Sequence, residues 1–153
     1  MSNTEIRKKP FPWRCSNCRE QSLYEAIVEH TTQMFHDGRE YTVTVKDLKT
    51  PKCKSCGIVH PDSEAMRDIT LAFMRQIKLL TPAQIREHRV KADLTQVELA
   101  AALGVADATV SRWETGMQIQ QRSLDNLLRL FFGVPQVRKI LISQQIGTLA
   151  NSA

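Results

Sequence analysis

The chain has 153 residues, enough for one ordinary domain or two small ones. Its 42% hydrophobic and 24% charged residues are those of a globular protein and exclude global disorder, and no apolar stretch approaches the roughly 20 residues of a membrane span. A net charge of +5 permits a polyanionic partner without naming one, because the basic residues are spread along the chain instead of forming a tail. The N-terminus carries no apolar core behind its basic residues, so no secretory signal is expected, and a cytoplasmic location follows as an expectation.

In chain order, residues 1–10 (MSNTEIRKKP) read as a flexible basic leader. Residues 11–61 read as a small β-module. Tyr24, Ala26 and Val28 are spaced by two, as are Tyr41, Val43 and Val45, and His36-Asp37-Gly38-Arg39 between the two runs suits a hairpin turn. From Ser63 to Leu80 the period becomes helical, with Met66, Ile69, Phe73, Ile77 and Leu80 on one face, so 62–80 is a connecting helix.

Residues 81–146 then read as five short helices. Thr81-Pro82-Ala83-Gln84 supplies a cap, a first-turn proline and a capping-box glutamine. Thr95 and Glu98 form a second capping box with Leu94 and Leu99 as a staple, and Gly104 ends that helix. Asp107 to Thr115 is stopped at Gly116, and a helix opening at Ser123 carries Leu124, Leu127, Leu128 and Phe131 as far as Gly133. Pro135 starts the fifth, with Val137, Ile140 and Leu141, and 147–153 is a frayed tail. The fold class is α+β: a small β-module followed by an all-α five-helix domain.

All four cysteines fall into two matched pairs, Cys15-Ser-Asn-Cys18 and Cys53-Lys-Ser-Cys56, with 34 residues between them. A CxxC turn aims two thiolates at one ion, and two such turns complete the closed tetrahedral four-sulfur shell of a structural Zn2+, one per chain. Disulfides are disfavoured in a reducing compartment, and a redox pair would predict a single CxxC at a helix start. Iron–sulfur ligation uses the same thiolates and stays open. His30, His36 and His60 could each replace a ligand, although a surface histidine is the better default. No paired carboxylates, Ser-His arrangement or phosphate-cradling glycine loop is present, so the chain is not expected to be an enzyme.

The run from Leu94-Thr95-Gln96-Val97-Glu98-Leu99-Ala100 through Leu103-Gly104-Val105 to Ser111-Arg112-Trp113-Glu114-Thr115-Gly116 resembles the Cro/repressor-type (XRE) helix-turn-helix family over about residues 82–141. Ala100 and Gly104 are small where two helices would cross closely. The resemblance implies that the second helix of the motif lies in the major groove, with Asp107, Ala108, Thr109 and Arg112 facing the bases and Arg112 reading guanine through its fork. It implies phosphate contacts by Gln96, with Thr95, Thr115 and Arg122 as further candidates, and a structural ion pair between Arg89 and Glu114. Ala106 departs from the serine common at that cap, and Asp107 puts a negative charge beside the groove.

Taken together, the double-CxxC β-module, the connecting segment and the Ser111-Arg112-Trp113-Glu114 run resemble the MqsA (YgiT-type) antitoxin family. That resemblance implies an antitoxin of a type II toxin–antitoxin system. Such a protein would neutralise a cognate toxin through its zinc module and repress its own operon as a homodimer on a palindromic double-stranded DNA operator. Tyr24, Phe35 and Tyr41 are aromatic candidates for the toxin surface, and Val134, Val137, Leu141 and the 63–80 helix for the dimer surface. The alternative is a stand-alone XRE-type transcriptional regulator in which zinc only staples the N-terminal module.

Overall fold

A computed structural model describes residues 9–150, with side chains described through Gln144. Residues 1–8 of the expected leader and 151–153 of the expected tail lie outside the described residues. The chain forms two compact units: one comprises residues up to Thr32 together with Thr42–Ile69, the other Gln33–Tyr41 together with residues from Thr70 onward. The division therefore falls within the connecting helix and assigns the hairpin tip to the second unit.

The sheet has three strands in the order β1 (Trp13–Arg14), β2 (Gln21–His36) and β3 (Arg39–Cys53). β1 pairs antiparallel with the start of β2, Trp13 opposite Leu23. The turn between β2 and β3 holds Asp37 at φ 50° and Gly38 at φ 74°. Two successive positive φ values are what a two-residue hairpin turn with the right twist requires, and Asp-Gly supplies them at low cost. Along β2, Tyr24, Ala26 and Val28 lie half-buried and alternate with exposed neighbours, as their spacing by two predicts. On β3 the alternation slips by one at Lys46–Asp47, both exposed, so that Leu48 and Thr50 turn inward, and it slips back at Thr50–Pro51, both buried, which leaves Cys53 inward.

Helix α1 covers Ser63–Gln76, with the Asp62 carboxylate accepting from the Ala65 N–H at 3.0 Å near its start. It stops short of Leu80 because Lys78 turns into the left-handed region at φ 56°, where the Leu79 N–H bonds back to the Met74 carbonyl at 2.9 Å. Its buried face is Ala65, Ile69, Phe73 and Met74; Met66, expected on that face, is 47% exposed.

In the second unit, α2 (Pro82–Lys91), α3 (Gln96–Leu103), α4 (Asp107–Thr115), α5 (Arg122–Gly133) and α6 (Pro135–Ala150) are the five helices expected. α6 reaches Ala150, so residues 147–150 of the expected frayed tail are helical backbone. Ile85, Leu99, Ala100, Leu103, Val110, Trp113, Leu128 and Phe131 form one core, which Leu80 joins from the loop before α2. Each large apolar side chain buried there contributes about 1.5–3 kcal/mol.

Two polar anchors close this unit. Asp125, fully buried, accepts from the Leu80 N–H at 2.7 Å, from Gln120 at 3.0 Å and from Arg129 at 2.8 Å. At the hairpin tip, Asp37 accepts the Arg122 N–H at 2.8 Å and so caps α5, whose own N-cap residue, Gln121, provides no side-chain bond. His36 and Tyr41 from the same tip meet the Phe73 ring edge-on at 5.7 and 5.5 Å.

Candidate metal centre and nucleic-acid interface

The two cysteine knuckles are built alike. In the first, the Arg19 N–H bonds to the Cys15 carbonyl at 2.9 Å and the Cys15 N–H to the Glu20 carbonyl at 2.8 Å. In the second, the Gly57 N–H bonds to the Cys53 carbonyl and the Cys53 N–H to the Ile58 carbonyl, both at 2.9 Å. The residue after each pair, Arg19 at φ 66° and Gly57 at φ 75°, takes the left-handed conformation that closes the turn. The 34-residue insert is almost wholly the β2–β3 hairpin, which returns the chain so that the Lys54 N–H reaches the Ser22 carbonyl at 2.9 Å.

The four sulfurs lie within 4.8 Å of one another, with Cys15 to Cys56 at 3.7 Å and Cys18 to Cys53 at 3.6 Å. The edge of a tetrahedron with metal–sulfur bonds of about 2.3 Å is about 3.8 Å, so the four thiols fit a single tetrahedral ion. The arrangement can hold a metal.

The surroundings of the thiols differ from one to the next. Cys53 is pulled down to about 6, chiefly by the Ser22 hydroxyl at 2.9 Å, against burial and with help from the Cys56 N–H. For Cys18 the backbone hydrogen bond at Glu20 works downward, but burial and the three neighbouring sulfurs outweigh it and push the thiol up to about 11. Cys56 is lowered, first by Asn17. Cys18 is thus pushed in the opposite direction to Cys53 and Cys56, and a central cation removes the conflict.

His60 stands beside the cluster and not among its four ligands. Its Nε2 is 3.2 Å from the Ser16 hydroxyl and 3.9 Å from the Cys15 sulfur. Ser22 escapes sequence inspection altogether: a lone serine in a strand carries no signal until the hairpin sets it against Cys53.

The helix-turn-helix is α3, the turn at Gly104 and α4. Thr95 caps α3 in a full capping box with Glu98. Gly104 takes φ 69° as the α3 C-cap and has open space around the position of a Cβ, so its need is conformational and not the close helix crossing expected. Ala106 begins α4 without a side-chain cap. Along α4, Val110 and Trp113 face the core, while Asp107, Ala108 and Arg112 are exposed and Thr109 is half-buried.

The Arg89–Glu114 pair is bidentate, Nε to Oε1 at 2.6 Å and Nη2 to Oε2 at 3.0 Å, and Arg89 also donates to the Leu94 carbonyl at 2.7 Å. Gln96 donates to the same carboxylate at 2.8 Å. Burial opposes ionisation of Glu114, but the bonds from Arg89 and Gln96 outweigh it and hold the carboxyl below the usual range. Gln96 therefore sits at the α3 N-terminus with one amide hydrogen engaged inside the fold.

The other residues expected to grip phosphate are also engaged. The Thr95 hydroxyl donates to Glu98 at 2.8 Å, and that of Thr115 to the Ser111 carbonyl at 2.9 Å. The Arg122 guanidinium caps the end of α1, bonding to the carbonyls of Ile77 and Lys78. Of the aromatic candidates on the hairpin, Phe35 is 75% exposed, Tyr24 lies under the Lys54 ammonium at 4.0 Å, and Tyr41 packs on Phe73. Among the described residues no helix is long and apolar enough to cross a membrane.

A family model described as the antitoxin component of a bacterial toxin-antitoxin system, MqsA, matches residues 13–140, from the first strand into the last helix. No curated protein matches the chain.

Proposed function

The chain belongs to the MqsA antitoxin family and has an antitoxin role in general; from that premise we propose that it joins two activities, neutralising a toxin through its cysteine-centred unit and repressing its own operon through the helix-turn-helix. The observation that carries this reading is the pairing, in one chain, of a four-thiol centre with a helix-turn-helix whose second helix leaves Asp107, Ala108 and Arg112 uncovered.

The ion is one structural Zn2+ held by Cys15, Cys18, Cys53 and Cys56. A closed four-sulfur shell leaves no position for water or substrate, which suits a protein that binds and does not catalyse. Its place of work is the cytoplasm, where toxin and operator are both met.

On DNA, α4 lies in the major groove and Arg112 reads guanine through two parallel hydrogen bonds, with Asp107, Ala108 and Thr109 beside it. Gln96 holds phosphate with its remaining amide hydrogen. Thr95, Thr115 and Arg122 approach the backbone as secondary contacts, each with its first hydrogen bonds already made within the fold. Two chains pair through their C-terminal units, with Val134, Val137 and Leu141 as the apolar candidates. This sets the two α4 helices about 34 Å apart on a palindromic operator. The toxin is met on residues 11–61, where Ile27, at 70% exposure, is an apolar side chain that β2 offers within the cysteine-centred unit.

The test is to co-express the chain with the protein encoded beside it, purify through a tag on that neighbour, and assay the complex for zinc and for binding to the upstream operator. Co-purification with stoichiometric zinc and operator binding is the expected result. A zinc-loaded chain that binds the operator but ignores its neighbour would establish a stand-alone regulator instead.

A further inference from the structure

The Thr95 and Thr115 hydroxyls and part of the Arg122 guanidinium are engaged within the fold, and the same compact unit gathers three further cations elsewhere. A cavity of about 420 Å³ opens where α1 ends, α2 begins and α5 passes. Arg75, Lys78 and Arg129 line it, Leu79 and Leu80 form its buried floor, and Thr81 and Gln84 stand at its α2 end. Among the described residues, three cations and no carboxylate line it. Asp125, the nearest acid bonded to this group, is fully buried and already occupied by Leu80, Gln120 and Arg129.

The cations are placed by the backbone. Lys78 turns into the left-handed conformation that ends α1, and the chain reverses there into the Thr81 cap. Arg75 lies one turn earlier, exposed and with no carboxylate partner among the described residues. Arg129 reaches across from α5, anchored by Nε on Asp125 and by Nη2 on the Lys78 carbonyl at 2.8 Å, which fixes the plane of its guanidinium. The α2 N-terminus adds its partial positive charge at the same side. A fixed planar fork flanked by two exposed cations matches a tetrahedral polyanion better than a single carboxylate.

We propose that the Arg75–Lys78–Arg129 cavity is a phosphate-binding site that takes either the backbone phosphate of nucleic acid or a free phosphate. The nucleic-acid source rests on the DNA-binding reading above; the free-phosphate source does not.

The experiment uses the full zinc-loaded chain and two double variants of equal charge change: Arg75→Gln with Lys78→Gln, and, as a control, Arg67→Gln with Lys139→Gln at exposed positions off the cavity. Arg129 is left intact because it anchors α1. Each protein is titrated with inorganic phosphate at constant ionic strength by NMR, and its binding to operator DNA is followed against salt.

Saturable phosphate binding in the parent and control, weakened at least tenfold in the cavity variant, supports the site. If the DNA salt dependence is then unchanged, the source is free phosphate. A slope of log affinity against log salt that falls by about 1–2 in the cavity variant alone, alike for operator and unrelated DNA, assigns the backbone as source whether or not free phosphate binds. Cavity and control variants that behave alike in both titrations overturn the proposal. A parent that binds no DNA at all defeats the DNA reading, while the phosphate titration still decides the site.

Discussion

Replacing Glu114 by alanine gives the most direct test of what holds the helix-turn-helix together. The Glu114 side chain is 3% exposed and that of Arg89 13%, so the pair is nearly dry. Without the carboxylate, Arg89 keeps only its bond to the Leu94 carbonyl, and the Gln96 amide loses its acceptor. Breaking one side of a buried pair costs about 3–5 kcal/mol, because a charge is left in a poor environment. In a unit of this size each kcal/mol moves Tm by about 4–8 °C, so a fall of at least about 12 °C is expected by calorimetry.

Glu114→Gln should cost less, about 1–3 kcal/mol, since shape and one acceptor survive. A double-mutant cycle with Arg89→Ala should return a coupling above about 1.5 kcal/mol. The pH dependence has a fixed sign. Glu114 titrates lower in the folded chain than in the unfolded one, so its contribution is complete above the ordinary carboxylate range and is lost as pH falls through the folded value. The stability gap between parent and Glu114→Ala should therefore be constant from pH 7 to about 5 and close below about 4. A coupling under about 0.5 kcal/mol, or a gap that widens in acid, would refute the argument.

Arg112→Ala should remove about 1–3 kcal/mol of operator preference in a binding assay while leaving Tm and metal content unchanged, and equal operator affinity would exclude it from base reading. Ala106→Ser should add the missing α4 cap and raise stability by about 1 kcal/mol; no rise in the denaturation midpoint would mean that its amide donors are already satisfied. Ser22→Ala removes the hydroxyl bonded to Cys53 and should weaken metal affinity about 10–100-fold in chelator competition, whereas unchanged affinity would reduce Ser22 to a packing role. Cys53→Ser should abolish metal binding and the folding of the first unit while the helical unit keeps its own melting transition, and a single unaltered transition would count against a structural ion.

Patterns that depend on local backbone chemistry were legible in the sequence. The Asp37-Gly38 turn, both capping boxes, the Gly104 stop and the five C-terminal helices follow from residues acting within a few positions of one another. The cysteine pairs were legible for the same reason, since spacing alone fixes a knuckle. The parity slip at Lys46–Asp47 and the early end of α1 were not. The first adjusts a strand to bury Leu48 and Thr50, and the second needs a lysine in a conformation that favours glycine. Asp125 carries no sequence signal beyond being an acid in the first turn of α5; only tertiary packing sets Leu80, Gln120 and Arg129 around it.

The same distinction bears on the nucleic-acid face. A motif assigns roles by position, but a hydrogen-bond donor serves a ligand only with what the fold leaves it. Arg122 stands where the motif expects a phosphate contact, yet this chain has a helix, α1, ending beside it, and the exposed carbonyls of Ile77 and Lys78 recruit its guanidinium. Arg129 shares the Lys78 carbonyl, and the two guanidiniums together pair the carbonyls left at the helix terminus, so the recruitment is structural in origin. What α1 takes from Arg122 it returns as Arg75 and Lys78, whose charges stand free at the cavity rim. An appended helix can thus relocate the positive charge of a helix-turn-helix without altering a residue of the motif itself.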